Sequence, residues 1–250
     1  MSDTPIEIDP SQQVWLEKIS PLLGVALTAQ TGSDLPPLDL IDLGQAATWE
    51  SRKRRIEPEL TQVLSNRLGD HSRIRASWSM AVELANKGKH AEALRILERL
   101  EPEITEAITK GMADFDNLPG DVVPIAKARL AWMQARKKMF GQLAVVEQKI
   151  VAICSSDPTL SHIVAETPKL FDNLINFDER LDNALNAVIN APPGQERDDR
   201  KGEARSVIGD YQAELENPFF KDIDGNNGFA NVAVTATAQA ALGAIVRVLS

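Results

Sequence analysis

Apolar residues recur at three- and four-residue spacing along almost the whole chain, the period of helices that bury one face. Val14, Trp15, Ile19, Leu22, Leu23 and Leu27 predict a first helix over residues 11–30, with Ser11 as N-cap and Pro21 as a kink. A connector over residues 31–44 follows, broken by Gly32, Pro36 and Pro37. Trp49, Ile56, Leu60, Val63, Leu64 and Leu68 predict a second helix over residues 45–67, kinked or broken at Pro58 and ended by Gly69-Asp70. Two more helices are expected at 72–87 and 91–110, joined through Gly88.

A long stripe through Ile125, Leu130, Trp132, Met139, Phe140, Leu143, Val146, Ile150 and Ile153 predicts a helix from Val122 or Val123 to Cys154. Asp157-Pro158 has the cap-then-proline form of a helix start, and helix should continue to Ala191 with Pro168 dividing it. Pro192-Pro193-Gly194 is the cleanest break in the chain. The helix expected after it, over 195–215, is so polar that it should be peripheral, with a narrow stripe of Ala204, Val207, Ile208 and Tyr211. Residues 217–227 read as loop, and an Ala-rich last helix over 229–249 turns Leu242, Ile245, Val246 and Leu249 inward. Its first residues, Val232-Ala233-Val234-Thr235, also fit a short strand.

One pattern occurs twice. Asp34-Leu35-Pro36, Trp49, Lys53-Arg54-Arg55, Leu60 and Val63 match Asn117-Leu118-Pro119, Trp132, Arg136-Lys137-Lys138, Leu143 and Val146, each pair 83 residues apart. A rare residue, a basic triplet and two apolar positions in one register point to a duplicated unit, a proline turn followed by a tryptophan-bearing helix. The fold class expected is therefore all-α, a bundle of seven to eight helices built from two related helical units. The organisation read from the breaks is a mobile leader at 1–10, a first helical unit at 11–116 and a second at 117–191. Residues 192–250, with the polar helix, an Asx-rich loop and the C-terminal helix, should pack back on the bundle.

Trp78-x-x-Ala81-x-x-Leu84-Ala85, then Gly88-Lys89-His90-x-Glu92-Ala93-Leu94-x-x-Leu97, resembles a tetratricopeptide helical hairpin over roughly 20 residues. It occurs once, and a single copy does not bury its own core, so an αα-hairpin within a bundle accounts for it equally.

Composition supports the helical reading. Aromatics are 5% of residues and the apolar content lies in Ala, Leu and Ile, whereas strands draw on aromatic and β-branched residues. A hydrophobic fraction of 43% with 25% charged residues is that of a folded domain. The net charge of −9 argues against sequence-independent nucleic-acid binding by the whole protein. Cys154 is the single cysteine, so disulfide frameworks and multi-cysteine zinc sites are excluded. The first ten residues are acidic and are followed by no basic-then-apolar run, so no Sec signal peptide is expected and a cytoplasmic location is, specialised export aside. Residues 228–246 carry no charge, but Asn231, Thr235, Thr237 and Gln239 suit a buried helix better than a membrane span.

Candidate chemistry is sparse. Asp222-Ile223-Asp224-Gly225-Asn226-Asn227-Gly228 alternates oxygen ligands, yet an EF-hand frame from Asp222 puts Asn227 where Gly belongs and Ala233 where a bidentate Glu belongs. Asx-turn chemistry capping the last helix explains the loop without metal. His71, His90 and His162 stand alone, and no Glu-x-x-His, nucleophile elbow or phosphate loop is present. No catalytic residue, cofactor or metal is expected. Trp49 and Trp132 read as structural anchors in the core. Arg52, Lys53, Arg54, Arg55, Arg136, Lys137 and Lys138 read as solvated outer faces that double as a candidate partner-binding surface.

The expectation is a non-enzymatic helical protein–protein interaction module of the adaptor, chaperone or immunity-accessory kind, bacterial by analogy, whose partner is another protein rather than nucleic acid or membrane. The alternatives are a self-assembling structural component or delivered effector, with the polar helix as an assembly arm, and an enzyme with dispersed catalytic residues.

Overall fold

Each element of this chain forms where an apolar stripe of helical period meets a partner to bury it. The computed structural model describes residues 40–112, 115–155, 160–225 and 227–250, together with Pro10, Gln13, Val14 and Glu17. Most of the helix expected over 11–30, the Asp34-Leu35-Pro36 turn and the Asp157-Pro158 cap lie outside the described residues. Among the described residues the fold is all-helical, with no strand: the short strand at 232–235 does not form, and residues 231–233 are irregular chain leading into the last helix.

Helix α1 spans Leu40–Ser65 and begins five residues before the expected start. Pro58 lies inside it without ending it. Interior proline costs about 3 kcal/mol, while burial of Trp49, Ile56, Leu60 and Val63 on either side contributes roughly 1.5–3 kcal/mol for each large side chain. Helix α2 is His71–Asn86, with Asp70 as N-cap accepting from the Arg73 N–H at 3.1 Å, and α3 is His90–Met112. The two form the expected helical hairpin, turning at Gly88, whose φ of +74° is one that L side chains rarely adopt.

A short 3-10 turn, Phe115–Asn117, precedes the long helix α4, Val123–Cys154. Helix α5, Ser161–Glu166, runs into a 3-10 segment, Thr167–Phe171, where Pro168 is buried, and α6 is Asp172–Asn190. Helix α7, Gln195–Glu214, follows Gly194. Where loop was expected, Pro218–Asp224 forms the short helix α8: Asn217 caps it, Pro218 opens it, and Phe219, Phe220 and Ile223 are buried. The last helix, α9, is Val234–Leu249 and starts five residues later than expected.

The chain divides into two compact units that interleave along the sequence. The first contains the described residues up to Ile108, Ala144–Phe171 and residues 227–230; the second contains Thr109–Leu143, Asp172–Gly225 and Asn231–Ser250. In the first, α1 packs on α2, on α5 and on the 3-10 segment. Trp49 is buried and stacks on Trp78 at 6.1 Å between ring centroids. Backbones approach closely here. A Cβ at Gly44 would lie 3.0 Å from Val151 Cγ1, and one at Gly69, whose φ is +55°, would lie 2.9 Å from the Ala107 Cβ.

In the second unit, α7 packs along α6, and α9 packs on α7 and α8. The polar helix is therefore not peripheral, because Arg197, Ala204, Ile208 and Tyr211 are all buried. A narrow apolar stripe suffices where a long polar side chain buries its body and satisfies its tip. The Arg197 guanidinium supplies that case, donating to the Ala191 carbonyl from Nε at 3.1 Å and pairing with Asp121. Trp132 is buried against the edge of Tyr211 at 5.4 Å.

Candidate functional site

The two basic triplets do not share one fate. On α1, Arg54 is exposed and Lys53 lies 3.8 Å from Glu50. Arg52 is half-buried, 3.7 Å from Glu98, and the Arg55 guanidinium lies over the Phe171 ring at 4.7 Å. On α4, Lys137 and Lys138 are exposed, but Arg136 is buried. The reading of Arg136 as part of a solvated outer face is corrected: it sits in the apolar stripe, one turn after Trp132 and seven residues before Leu143, and its charge is answered within the core. Arg52 and Arg55 are drawn inward as well, which leaves Arg54, Lys137 and Lys138 as the fully exposed members of the candidate set.

The partners of Arg136 come from α6 and α7. Its Nε donates to Asp178 Oδ2 at 3.0 Å, its guanidinium lies over the Phe140 ring at 4.8 Å, and the Tyr211 hydroxyl donates to Asp178 Oδ1 at 3.0 Å. Seven residues earlier on α4, Arg129 makes a two-pronged bond to Asp182, 2.7 Å on each side, and a third to Asn186 at 3.1 Å. Burial pushes the Asp178 carboxyl up to about 6 in spite of Arg136, and raises the Tyr211 hydroxyl well above its ordinary value. Asp121 goes the other way, lowered by the hydrogen bond from Arg197.

The first unit has its own buried acid. Glu147 of α4 accepts a hydrogen bond from the Ser51 hydroxyl of α1, and both residues are sealed from solvent. Desolvation raises its carboxyl to about 7, against the opposing hydrogen bond from Ser51 and the nearby charges of Arg55 and Arg52. Neither Glu147 nor Asp178 is among the site residues expected from the sequence, which puts such carboxylates on charged, solvated helix faces; both are buried instead. The available signal was phase: Arg129, Arg136, Leu143 and Ile150 are seven apart in one stripe, and a charge in that phase needs a buried counter-charge.

Two side chains of the Asx-rich loop, Asp224 and Asn227, are committed to backbone. Asp224 accepts from the N–H groups of Val234 and Thr235 at 2.6 and 2.7 Å, capping α9. Asn227 accepts from Phe229 and Ala230, each at 2.8 Å. Among the described residues no three His, Cys, Asp or Glu side chains converge as a metal site would require, and Cys154 is a buried free thiol.

Six lysines outside α4 sit beside carboxylates: Lys53 by Glu50, Lys87 by Glu83, Lys89 by Glu92, Lys169 by Glu166, Lys201 by Asp198 and Lys221 by Glu216. On α4, Lys137, Lys138 and Lys149 have no ion pair among the described residues, and Lys127 lies over the Phe115 ring at 5.8 Å. The one acid of this helix, Glu147, points into the core. Within the second unit the outward face of α4 thus carries Lys127, Ala131, Gln134, Lys137, Lys138 and Gly141, and a Cβ at Gly141 would meet nothing within 4 Å. No helix among the described residues is long and apolar enough to cross a membrane. No family model matches the chain, and no characterised protein or solved structure matches it significantly.

Proposed function

We propose that this protein is a non-enzymatic helical interaction module that engages an acidic surface of another protein through the outward face of α4. The observation that carries this reading is the contrast among the lysines. In a chain of net charge −9, Lys137, Lys138 and Lys149 of α4 have no ion pair among the described residues, while six lysines elsewhere lie beside carboxylates. An unbalanced cationic strip on an anionic protein steers and orients a partner of opposite sign. The overall charge weighs against nucleic acid, and the strip's small and polar residues offer nothing for insertion into lipid. The acids with raised pKa, Glu147 and Asp178, are both sealed from substrate, which supports a binding role over a catalytic one.

The test is affinity capture from source-cell lysate with mass spectrometry, comparing the native chain with the Lys137→Glu, Lys138→Glu double variant. Arg136 is left intact because its replacement would strand Asp178 in the core and destabilise the fold. The expected result is a stoichiometric partner that is lost in the variant and released by added salt. Retention of that partner by the variant overturns the assignment of the face. Large self-assemblies with no partner turn the reading toward a structural component.

A further inference from the structure

We infer that the segment docked along α4 is itself an α-helix, with small side chains on Ala131 and carboxylates over Lys127 and Lys138, an inference that rests on the acidic partner proposed above. Lys127 and Lys138 are eleven residues apart within the second unit, three turns of helix to within about 20°, so both stand on one line along α4. A rise of about 1.5 Å per residue separates their Cα atoms by about 16 Å. Both are exposed and neither has an ion pair among the described residues, while Lys127 lies over the Phe115 ring. Lys137 projects about 100° to one side of that line.

Between the two lysines the exposed line carries Ala131 and Gln134, flanked by half-buried Ala128 and Ala135. The alanines make a low, smooth stretch with a cation at each end. Gln134 is the one side chain on that stretch with hydrogen-bonding groups. An extended peptide or loop laid there would cover backbone N–H and C=O groups that α4 could not satisfy, each at a desolvation cost. A helix arrives with those groups already bonded to one another. Methyl-lined faces also let two helices close to the short end of the usual interaxial range of about 8–10 Å.

The lysine spacing fixes how the incoming helix lies. A crossing near 50° centred between the lysines would displace its axis by about 6 Å at each of them, whereas one near 20° displaces it by about 3 Å. The shallow crossing therefore keeps it over both. Carboxylates eleven residues apart on the incoming helix then fall opposite Lys127 and Lys138 in either chain direction, while carboxylates nine apart would point to opposite faces. An extended segment would cover the same distance with carboxylates only about five residues apart. The lysines thus select an acidic helix, each exposed ion pair contributing up to about fivefold in affinity, and the alanines select one with small residues on the docked face.

The test is zero-length carbodiimide coupling of the intact protein to synthetic peptides, with mass spectrometry to quantify adducts at Lys127 and Lys138. Two peptides are alanine-based helices stapled by lactam bridges, with a pair of glutamates eleven or nine residues apart; a third is proline-rich and extended, with the pair five apart. The eleven-residue helix should bridge Lys127 and Lys138, with a yield up to about fivefold above that of the nine-residue helix. Ala131→Arg separates seating from simple charge attraction, since it adds a cation at an exposed position yet obstructs the helix. Coupling of the eleven-residue helix should fall severalfold in this variant. Equal coupling by the three peptides, preference for the extended one, or a gain in Ala131→Arg overturns the proposal. The acidic-partner reading fails on a different observation, retention of the captured partner by the Lys137→Glu, Lys138→Glu variant.

Discussion

The Arg136 guanidinium and the Asp178 carboxylate meet at 3.0 Å with both side chains under a tenth exposed. The pair joins α4 to α6, and Tyr211 ties it to α7 through the second carboxylate oxygen. Removing either charge strands the other in the core. Arg136→Ala and Asp178→Ala should each lower stability by about 3–5 kcal/mol, read as a shift in urea midpoint. Arg136→Lys should also be destabilising, because an ammonium reproduces neither the Nε bond nor the stacking over Phe140.

Its sequence neighbours should behave oppositely. Lys137→Glu and Lys138→Glu face solvent and should move stability by less than about 0.5 kcal/mol. Three adjacent basic residues would then divide between core and surface, and a thermal melt of the three variants side by side checks it.

Glu147 and Asp178 set the direction of pH dependence. Their carboxyls titrate at about 7 and about 6 instead of 4.5 and 3.8, because burial favours the neutral form. A raised folded-state value means that the stabilising contribution is complete below the ordinary carboxylate range and is lost as pH rises through the folded value. Stability should therefore decline from about pH 4 to about pH 7 and level off above it. Glu147→Gln should recover up to ~3 kcal/mol at pH 8 and little at pH 4. Urea titrations at the two pH values read the difference.

Asp224 supplies both bonds that start α9 from ten residues upstream. Asp224→Ala should cost about 1–2 kcal/mol, as lost N-caps do. The same occupancy predicts that millimolar calcium leaves the melting temperature unchanged, which differential scanning fluorimetry with and without chelator would show.

Trp132 is buried, yet its indole N–H has no partner among the described residues. Trp132→Ala should cost roughly 3–5 kcal/mol, while Trp132→Phe, which deletes the unsatisfied donor together with one ring, should cost less than half as much.

Helices α2, α3, α4 and α7 were legible to within two residues because each couples a clear stripe to an unambiguous stop, such as Gly88 or Pro192-Pro193-Gly194. Of the kink or break expected at Pro58, the break does not occur, because burial on either side of it offsets the local cost. Phe219, Phe220 and Ile223 were too short a run to show period, so α8 was missed although Asn217-Pro218 has the form of a helix start. The polar core was missed for a different reason. A basic triplet read as a block looks like surface, whereas read by phase its first member belongs with Trp132 and Leu143. The carboxylate that answers it lies 42 residues away in the sequence, at a distance no local pattern spans.

The contact between Gly69 and Ala107 bears on how this chain can diverge. At φ +55° and 2.9 Å from the neighbouring Cβ, position 69 has neither the backbone nor the room for a side chain, and any group larger than a methyl at position 107 would crowd the same spot. The two sites are 38 residues apart in sequence and neither is chemically distinctive, so nothing but this contact links them. In diverged copies of this fold, glycine and alanine should persist there as a couple, or change together with a shift of the α1–α2 turn. That coupled pair is a signature by which distant kin could be recognised after the surface lysines and even the buried ion pairs have drifted.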